Sequence, residues 1–192
     1  MRPVLVVIVA YLIGSIPFGY LIVRTKGGGD VRQTGSGGTG ATNVSRRAGK
    51  AAGIVTLMLD ALKGVVAVLI ATRVNTDWVV AAAAIAVIAG HIFPVWLGFR
   101  GGKGVATGAG VFLILAPGAL LFAGLVLVII VGLTRYVSLG SITAAATIPL
   151  FIYWQTEARP ILAAAIAGAL LIVFAHRGNI NRLVHGTESK LS

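Results

Sequence analysis

Long uncharged or nearly uncharged stretches, separated by short polar segments, occupy most of the chain. These stretches are residues 3–23, 51–72, 78–99, 104–134, 136–156 and 160–175. A helix of about 20 apolar residues crosses the hydrocarbon core of a bilayer. The pattern therefore predicts a bundle of transmembrane helices.

The 104–134 stretch is too long for one crossing. It holds Pro117-Gly118 near its middle, and a straight helix over the whole stretch would measure about 46 Å at 1.5 Å per residue, against a core of about 30 Å. A turn at Pro117 gives seven spans and puts twelve Lys and Arg residues on one face and three on the other, whereas a single span gives nine and six. Because Lys and Arg accumulate in cytoplasmic loops, the seven-span arrangement is favoured.

The predicted fold is therefore an all-α integral membrane protein with seven transmembrane helices. Its amino terminus lies outside, its carboxyl terminus lies in the cytoplasm, and its polar loops lie on the cytoplasmic face. No soluble domain, linker or internal repeat is visible, so residues 1–192 are interpreted as a single transmembrane domain.

Composition agrees with a membrane protein and excludes several chemistries. The chain is 57% hydrophobic and 11% charged, whereas a soluble domain has about 25% charged residues. It has no cysteine, which excludes thiolate nucleophiles and Cys-ligated metals. With three His and five acidic residues spread along the chain, neither a metal nor another cofactor is expected. The net charge of +11 is attributed to cytoplasmic loops rather than to nucleic-acid binding.

The first polar segment, residues 35–43, has the composition of an anion site. Its glycines allow several backbone N–H groups to point at one place, and Ser, Thr and Asn add short donors. Arg46 and Arg47 follow and can form charge-assisted contacts with phosphate oxygens. A helix beginning near Thr42 would add a favourable dipole. The alternative is a flexible glycine-rich loop beside ordinary cytoplasmic arginines.

The second polar segment, residues 99–107, presents Lys103 between glycines. The chain reads Gly101-Gly102-Lys103-Gly104 between two spans, so the lysine can approach a phosphate without steric obstruction. This is not a Walker A loop, because Leu97 and Gly104 stand where that motif needs Gly and Ser or Thr. A nucleotide-driven pump is therefore unsupported.

The third polar region combines residues 135–141 with the tail, residues 176–188. A basic tail can equally be an interfacial lipid anchor, and Ser141 a small residue for helix packing. Asp60 and Lys63 lie inside a predicted span, where at i,i+3 they can neutralise each other. Either a structural pair or a functional site explains them.

Taken together, these segments resemble the PlsY family of bacterial membrane acyl-phosphate:glycerol-3-phosphate acyltransferases. The matching pieces are Gly14-Ser15-Ile16-Pro17, residues 35–46, Leu59-Asp60 with Lys63-Gly64, residues 90–107, residues 138–141 and residues 176–188. The sequence departs from the usual pattern at Gly38-Thr39, Arg100 and Gly178, where the family usually has Asn with an aliphatic residue, Lys and Glu.

The resemblance implies transfer of a fatty acyl group from acyl phosphate to the 1-hydroxyl of sn-glycerol 3-phosphate. The products would be lysophosphatidic acid and phosphate, in the first step of bacterial phospholipid synthesis. It further implies a multi-pass location in the bacterial cytoplasmic membrane, with the acyl tail in the lipid bilayer, and a soluble partner enzyme that makes the acyl phosphate. Acyl phosphate is already activated, so the absence of cysteine does not count against this reaction.

The predicted site follows from the resemblance and the chemistry of the three segments. Lys103 and Arg46 would neutralise phosphate charge, and Ser36, Thr42, Asn43 and Ser141 would position substrate oxygens. The proton acceptor is either His176 or the substrate's own phosphate, oriented by Asn179, while Arg182 and Glu188 would hold the tail closed. The predicted catalytic residues are Lys103, Ser36, Arg46, Ser141, His176 and Asn179; the predicted substrate-binding residues are Gly37, Thr42, Asn43, Gly101, Gly102, Gly104, Arg182 and Glu188.

A phosphate-ester transporter is the alternative from another class of protein, because Asp60 and Lys63 would suit a translocation path. The absence of an inverted repeat argues against it. A structural or lipid-sensing protein would leave the three polar segments unexplained.

Overall fold

The computed structural model describes residues 2–74, 76–155 and 158–191. All regular secondary structure within those ranges is helical. The α-helices are α1 (Pro3–Ser15), α2 (Phe18–Thr25), α3 (Ala41–Ala48), α4 (Lys50–Ala71), α5 (Asp77–Ile92), α6 (Val105–Leu115), α7 (Pro117–Thr134), α8 (Val137–Gln155), α9 (Arg159–Ala175) and α10 (Arg177–Val184). Short 3-10 helices at Val31–Gln33, Thr72–Val74 and Val95–Leu97 lie in the connections.

Several of these helices are long and apolar enough to cross a membrane. In the described ranges they are Pro3–Thr25, Lys50–Val74, Asp77–Leu97, Pro117–Thr134 and Val137–Gln155, with α9 qualifying only together with α10, which is bent from it by 58°. These segments fall on the stretches predicted from hydropathy; the predicted end of the 136–156 stretch, Thr156, lies outside the described residues. The protein is a multi-pass membrane protein.

The predicted interruption at Pro117 is present. Helix α6 ends at Leu115 and α7 begins at Pro117, because a proline has no N–H to donate but is accommodated in the first turn of a helix. At 11 residues, α6 measures only about 16 Å. The count of seven spans and their sidedness therefore stay predictions.

A second interruption, within the first span, was not predicted. Residues Ile16 and Pro17 separate α1 from α2, since Pro17 cannot donate the backbone hydrogen bond that would continue the helix. The break leaves the Ile16 carbonyl oxygen accepting a hydrogen bond from Lys63 Nζ at 3.0 Å.

Small residues bring the helices close together around α5. A Cβ added to Gly14 or Gly90 would overlap backbone atoms across the α1–α5 contact, and one added to Gly64 or Gly110 would do so between α4 and α6. Such close backbone approach is typical of transmembrane helix packing. Large apolar side chains on α7, among them Leu133, instead point outward, where lipid would cover them.

Candidate functional site

The polar ends of the helices enclose two adjoining cavities, of about 540 Å³ and about 360 Å³. All of the predicted site residues line one or both. The larger cavity is lined by Ser36, Thr42, Asn43, Arg46, Lys103, Gly104, Ser141, His176, Asn179, Arg182 and Glu188, and the smaller adds Gly37, Gly101 and Gly102. Segments separated by more than a hundred residues are thus brought together as predicted.

Asn43 is the centre of the first glycine-rich loop. Its Nδ2 donates to the carbonyl oxygens of Val31, Thr34 and Gly38 at 2.8, 3.0 and 2.8 Å, while its Oδ1 accepts from the Ser36 N–H at 3.3 Å. The side chain is 2% exposed. Asn43 therefore shapes the loop with its amide, rather than offering that amide to a substrate as predicted.

Helix α3 begins at Ala41, one residue before the predicted start, and directs its first turn at the larger cavity. Thr42 and Arg46 lie on the cavity side of α3. Arg47 instead donates to the carbonyl oxygen of Gly28 at 2.9 Å and braces the preceding loop. Of the two arginines in the motif, Arg46 is thus available for an anion in the cavity.

The second glycine loop is seated on the carboxyl end of α5. Gly101 and Gly102 donate their N–H groups to the carbonyl oxygens of Ile92 and His91, at 3.1 and 3.0 Å, and so satisfy two acceptors at the end of that helix. The Gly101 carbonyl in turn accepts from Thr39 N at 3.3 Å. The two glycine loops are therefore hydrogen-bonded to each other and can define a single anion site.

Lys103 projects from this loop into both cavities. Burial lowers the pKa of Lys103 from its ordinary 10.5 to about 8; Glu188 opposes this shift, and the positive charges of Arg182 and Arg46 add to it. A bound phosphate dianion would oppose both the burial and the neighbouring positive charges, because it stabilises the charged ammonium.

His176 lies at the junction of α9 and α10, with its side chain 2% exposed. Its Nδ1 is 2.8 Å from the carbonyl oxygen of Ile172. Because a carbonyl can only accept, Nδ1 carries the hydrogen of the neutral ring and Nε2 carries the lone pair. The His176 ring lines the larger cavity.

The predicted closure of the tail by Arg182 and Glu188 is present as an ion pair of 2.7 Å. Asn179 Nδ2 donates to the other carboxylate oxygen of Glu188 at 2.6 Å, and so contacts the tail rather than His176. Burial raises the pKa of Glu188, but the hydrogen bonds from Asn179 and Arg182 outweigh this and hold it below its usual range. Farther along, Leu191 N donates to Arg135 O at 2.7 Å.

One wall of the larger cavity is apolar and was not singled out from the sequence. It is formed by Leu57 of α4, Val105, Ala106 and Ala109 of α6, and Leu127 of α7. In a chain this apolar, a side chain that faces a cavity has the same sequence signal as one that faces lipid. Gly38 and Ser138, which belong to the predicted polar segments but were not among the predicted site residues, also line the cavity.

The buried pair predicted within α4 is formed. Lys63 Nζ is 2.9 Å from Asp60 Oδ1, and His91 Nδ1 of α5 is 3.4 Å from the same oxygen. Asp60 and His91 both line the larger cavity. The participation of His91 was not predicted.

Comparisons with known proteins agree with this geometry. Residues 4–186 match a family model described as glycerol-3-phosphate acyltransferase. A protein of that name from Desulforamulus reducens is 48% identical over 189 residues, covering 98% of this chain and 94% of its own. Two crystal structures of PlsY, an integral membrane glycerol 3-phosphate acyltransferase, cover all of this chain and 96% of theirs: the glycerol 3-phosphate form, at 43% identity and a TM-score of 0.95, and the lysophosphatidic acid form, at 42% and 0.92.

Proposed function

The chain belongs to the glycerol-3-phosphate acyltransferase family, and we propose that it transfers a fatty acyl group from acyl phosphate to the 1-hydroxyl of sn-glycerol 3-phosphate. The products are 1-acyl-glycerol 3-phosphate, that is lysophosphatidic acid, and inorganic phosphate. One observation carries the proposal: a single cavity combines the cations Arg46, Lys103 and Arg182 with an apolar wall on spanning helices.

The two kinds of wall match the two parts of an acyl phosphate. The phosphate group fits the end at Lys103, which Ser36 and Arg182 also line. The acyl chain fits along Leu57, Ala109 and Leu127, which belong to the apolar helices α4, α6 and α7. Glycerol 3-phosphate brings a second phosphate, for which Arg46 and the start of α3 supply charge and dipole.

The proposed chemistry is a direct attack without an acyl-enzyme. The 1-hydroxyl oxygen bonds to the acyl carbonyl carbon, and the bond from that carbon to the phosphate oxygen breaks. The hydroxyl proton passes to Nε2 of His176 and then to the departing phosphate, so His176 returns to its neutral state. Ser36 and Ser141 hold substrate oxygens, and Lys103 neutralises the charge that develops on the leaving phosphate.

The proposed setting is the cytoplasmic membrane of a bacterium. Seven spans, with the amino terminus outside and the carboxyl terminus in the cytoplasm, place the cavity and its cations on the cytoplasmic side, in agreement with the distribution of Lys and Arg. That side holds glycerol 3-phosphate, and there a soluble enzyme can deliver acyl phosphate. The product then enters phospholipid synthesis.

A donor comparison with purified protein in lipid nanodiscs tests the proposal. Palmitoyl phosphate with glycerol 3-phosphate is expected to give lysophosphatidic acid without added metal or ATP, whereas palmitoyl-CoA gives little or none. The cavity of about 540 Å³ is lined by single basic side chains and glycine loops, and the described residues form no separate domain that could hold a nucleotide. A better rate with the CoA thioester would refute the donor assignment. Transport of glycerol 3-phosphate into sealed vesicles without acyl transfer would favour the transporter.

A further inference from the structure

A cluster of three ionisable side chains lies beneath the second glycine loop. Asp60, Lys63 and His91 are 2%, 4% and 5% exposed, and we call them the buried cluster. Lys63 Nζ and His91 Nδ1 both approach Asp60 Oδ1, at 2.9 and 3.4 Å. Ionisable groups within a membrane span are costly, and an apolar trio of similar volume would often be at least as stable. Stability alone therefore does not account for the cluster.

Lys63 has a structural contact that explains its own presence. Its ammonium donates to the Ile16 carbonyl oxygen at 3.0 Å. In the break between α1 and α2 that oxygen also accepts from the Phe18 N–H at 3.2 Å, in place of the donor one turn on that a continuous helix would supply. The ammonium also lies 5.8 Å from the centre of the Phe18 ring. These contacts leave His91 as the member of the buried cluster that still needs an explanation.

The imidazole ring of His91 packs directly against the backbone of Gly102. A Cβ added to Gly102 would overlap Nε2 of His91 and come within 2.8 Å of its Cε1, so the Gly102 backbone rests on the edge of the ring. The same loop is held by hydrogen bonds from Gly102 and Gly101 to the His91 and Ile92 carbonyls. Lys103 is the next residue, so the height of its backbone above α5 depends on this ring.

We propose that Asp60 and His91 are positioning residues for acyl transfer, which act through the loop that carries Lys103. The Asp60 carboxylate fixes the orientation of the His91 ring, the ring supports Gly102, and this contact sets where the Lys103 ammonium enters the cavity. Because the Gly101 carbonyl also accepts from Thr39 N, displacement of the loop would reach the first glycine loop as well. This inference rests on the proposed function, since Lys103 must bind the phosphate of a substrate for its position to matter.

A double-mutant cycle between His91 and Gly102 tests the contact. Gly102→Ala in the otherwise native protein is expected to lower kcat/KM by about tenfold, because the new Cβ collides with the ring, and coupled contacts reach this size. In His91→Ala the ring is gone, so adding Gly102→Ala should cost about twofold or less. A double variant whose loss equals the product of the two single losses would overturn the inference.

A second measurement uses His91→Asn, which separates positioning from folding. The Asn amide can still donate toward Asp60 from about the place of Nδ1, but it lacks the Nε2 edge beneath Gly102. The variant should keep a thermal midpoint close to that of the native protein, while KM for the phosphate substrates rises about tenfold. A normal KM in folded His91→Asn would also overturn the inference.

The titration of Lys103 gives a third readout, which a purely structural role would not move. Its pKa of about 8 reflects burial, with Glu188 opposing and Arg182 and Arg46 adding to the shift. If the loop moves away from the His91 ring, water reaches the Lys103 ammonium and raises its pKa toward 10.5. The pH at which kcat/KM falls should then rise by about one pH unit in His91→Asn. An unmoved limb contradicts the proposal.

The matched control is His185→Ala, because His185 is exposed and bonds only to the carbonyl of Asn181 among the described contacts. It should leave KM and the alkaline limb unchanged. Native protein that transfers no acyl group would refute the proposed function and this inference with it. Native activity with independent effects of His91 and Gly102 would refute only the inference.

Discussion

The Nδ1 atom of His176 lies 2.8 Å from the carbonyl oxygen of Ile172, and this contact decides which ring nitrogen can accept a proton. The carbonyl fixes the hydrogen on Nδ1, which leaves Nε2 as the basic atom of a ring that lines the cavity. The backbone of α9 thus holds the tautomer that a general base requires.

His176→Gln is expected to lower kcat by about 10² or more, because a positioned general base contributes roughly 10²–10⁴. The pH profile should change together with the rate. Steady-state kinetics in nanodiscs from pH 4 to 9 measure both, because burial lowers the pKa of His176 to about 4 and puts its limb at the acidic end of this range. A loss of only a few fold that is independent of pH would instead make the substrate's own phosphate the direct proton acceptor.

The fall of kcat/KM at high pH should follow the loss of the proton from the Lys103 ammonium. Its pKa of about 8 means that the ammonium present at pH 7 is lost as the pH rises through 8, so kcat/KM is expected to fall above about pH 8. Lys103→Arg should abolish this limb, because the guanidinium stays charged, although the rate will be lower in the altered geometry. Lys103→Ala and Ser36→Ala should each lose about 10²–10³.

Unfolding of the protein would not explain a fall of activity at high pH. The unfolded chain binds this proton with the ordinary pKa of 10.5 and the folded chain with about 8. Between these values the unfolded state binds more protons, so the contribution of Lys103 to stability rises with pH. A thermal midpoint that falls in parallel with activity above pH 8 would contradict the assignment of the limb to Lys103.

The spans could be predicted because each depends on a local property of the sequence. Hydropathy located the long helices, and Pro117 located the break between α6 and α7. The contact of Asp60 with Lys63 could also be predicted, since residues at i,i+3 share a helix face. By contrast, the break at Ile16 was missed, although Pro17 indicates it, because hydropathy is uniformly high across this stretch.

Contacts across helices could not be predicted in the same way. The approach of His91 to Asp60 depends on how α4 and α5 pack, which no spacing in the sequence specifies. Asn43 lines the larger cavity, but the hydrogen bonds of its side chain to its own loop were not foreseen, because an amide can bind either a substrate or its own loop. The three carbonyls it reaches become neighbours only when the loop folds back on α3.

Asn43→Ala is expected to cost both stability and activity. It would remove the shared donor of three carbonyl oxygens, of which Gly38 O has no other donor among the described contacts, at roughly 1–3 kcal/mol for an unsatisfied buried group, and would release the loop that holds Ser36. Thermal unfolding in detergent and turnover in nanodiscs measure the two effects. Asn181→Ala, on an exposed position of α10, is the control. Full activity in Asn43→Ala would show that the loop does not need this scaffold.

The proposed sidedness predicts which positions a membrane-impermeant thiol reagent can reach. The native chain has no cysteine, so single variants can be labelled without background. Lys26→Cys and Lys190→Cys should label only from the cytoplasmic side, whereas Arg73→Cys should label from outside intact cells. External labelling at Arg135→Cys would overturn the seven-span arrangement, because it would place the corner between α7 and α8 on the wrong face.

The buried pair in α4 predicts an asymmetric response to mutation. Asp60→Asn leaves the Lys63 ammonium beside neutral partners, which include the Ile16 carbonyl oxygen and the Phe18 ring, and removing the charge of one member of a buried ion pair costs about 3–5 kcal/mol. Asp60→Leu with Lys63→Met removes both charges and should recover much of that loss, because a well-packed apolar pair avoids the desolvation penalty. Denaturant unfolding in mixed micelles measures the difference. Equal destabilisation by the single and double changes would mean that packing, rather than the unpaired charge, dominates at this place in the bundle.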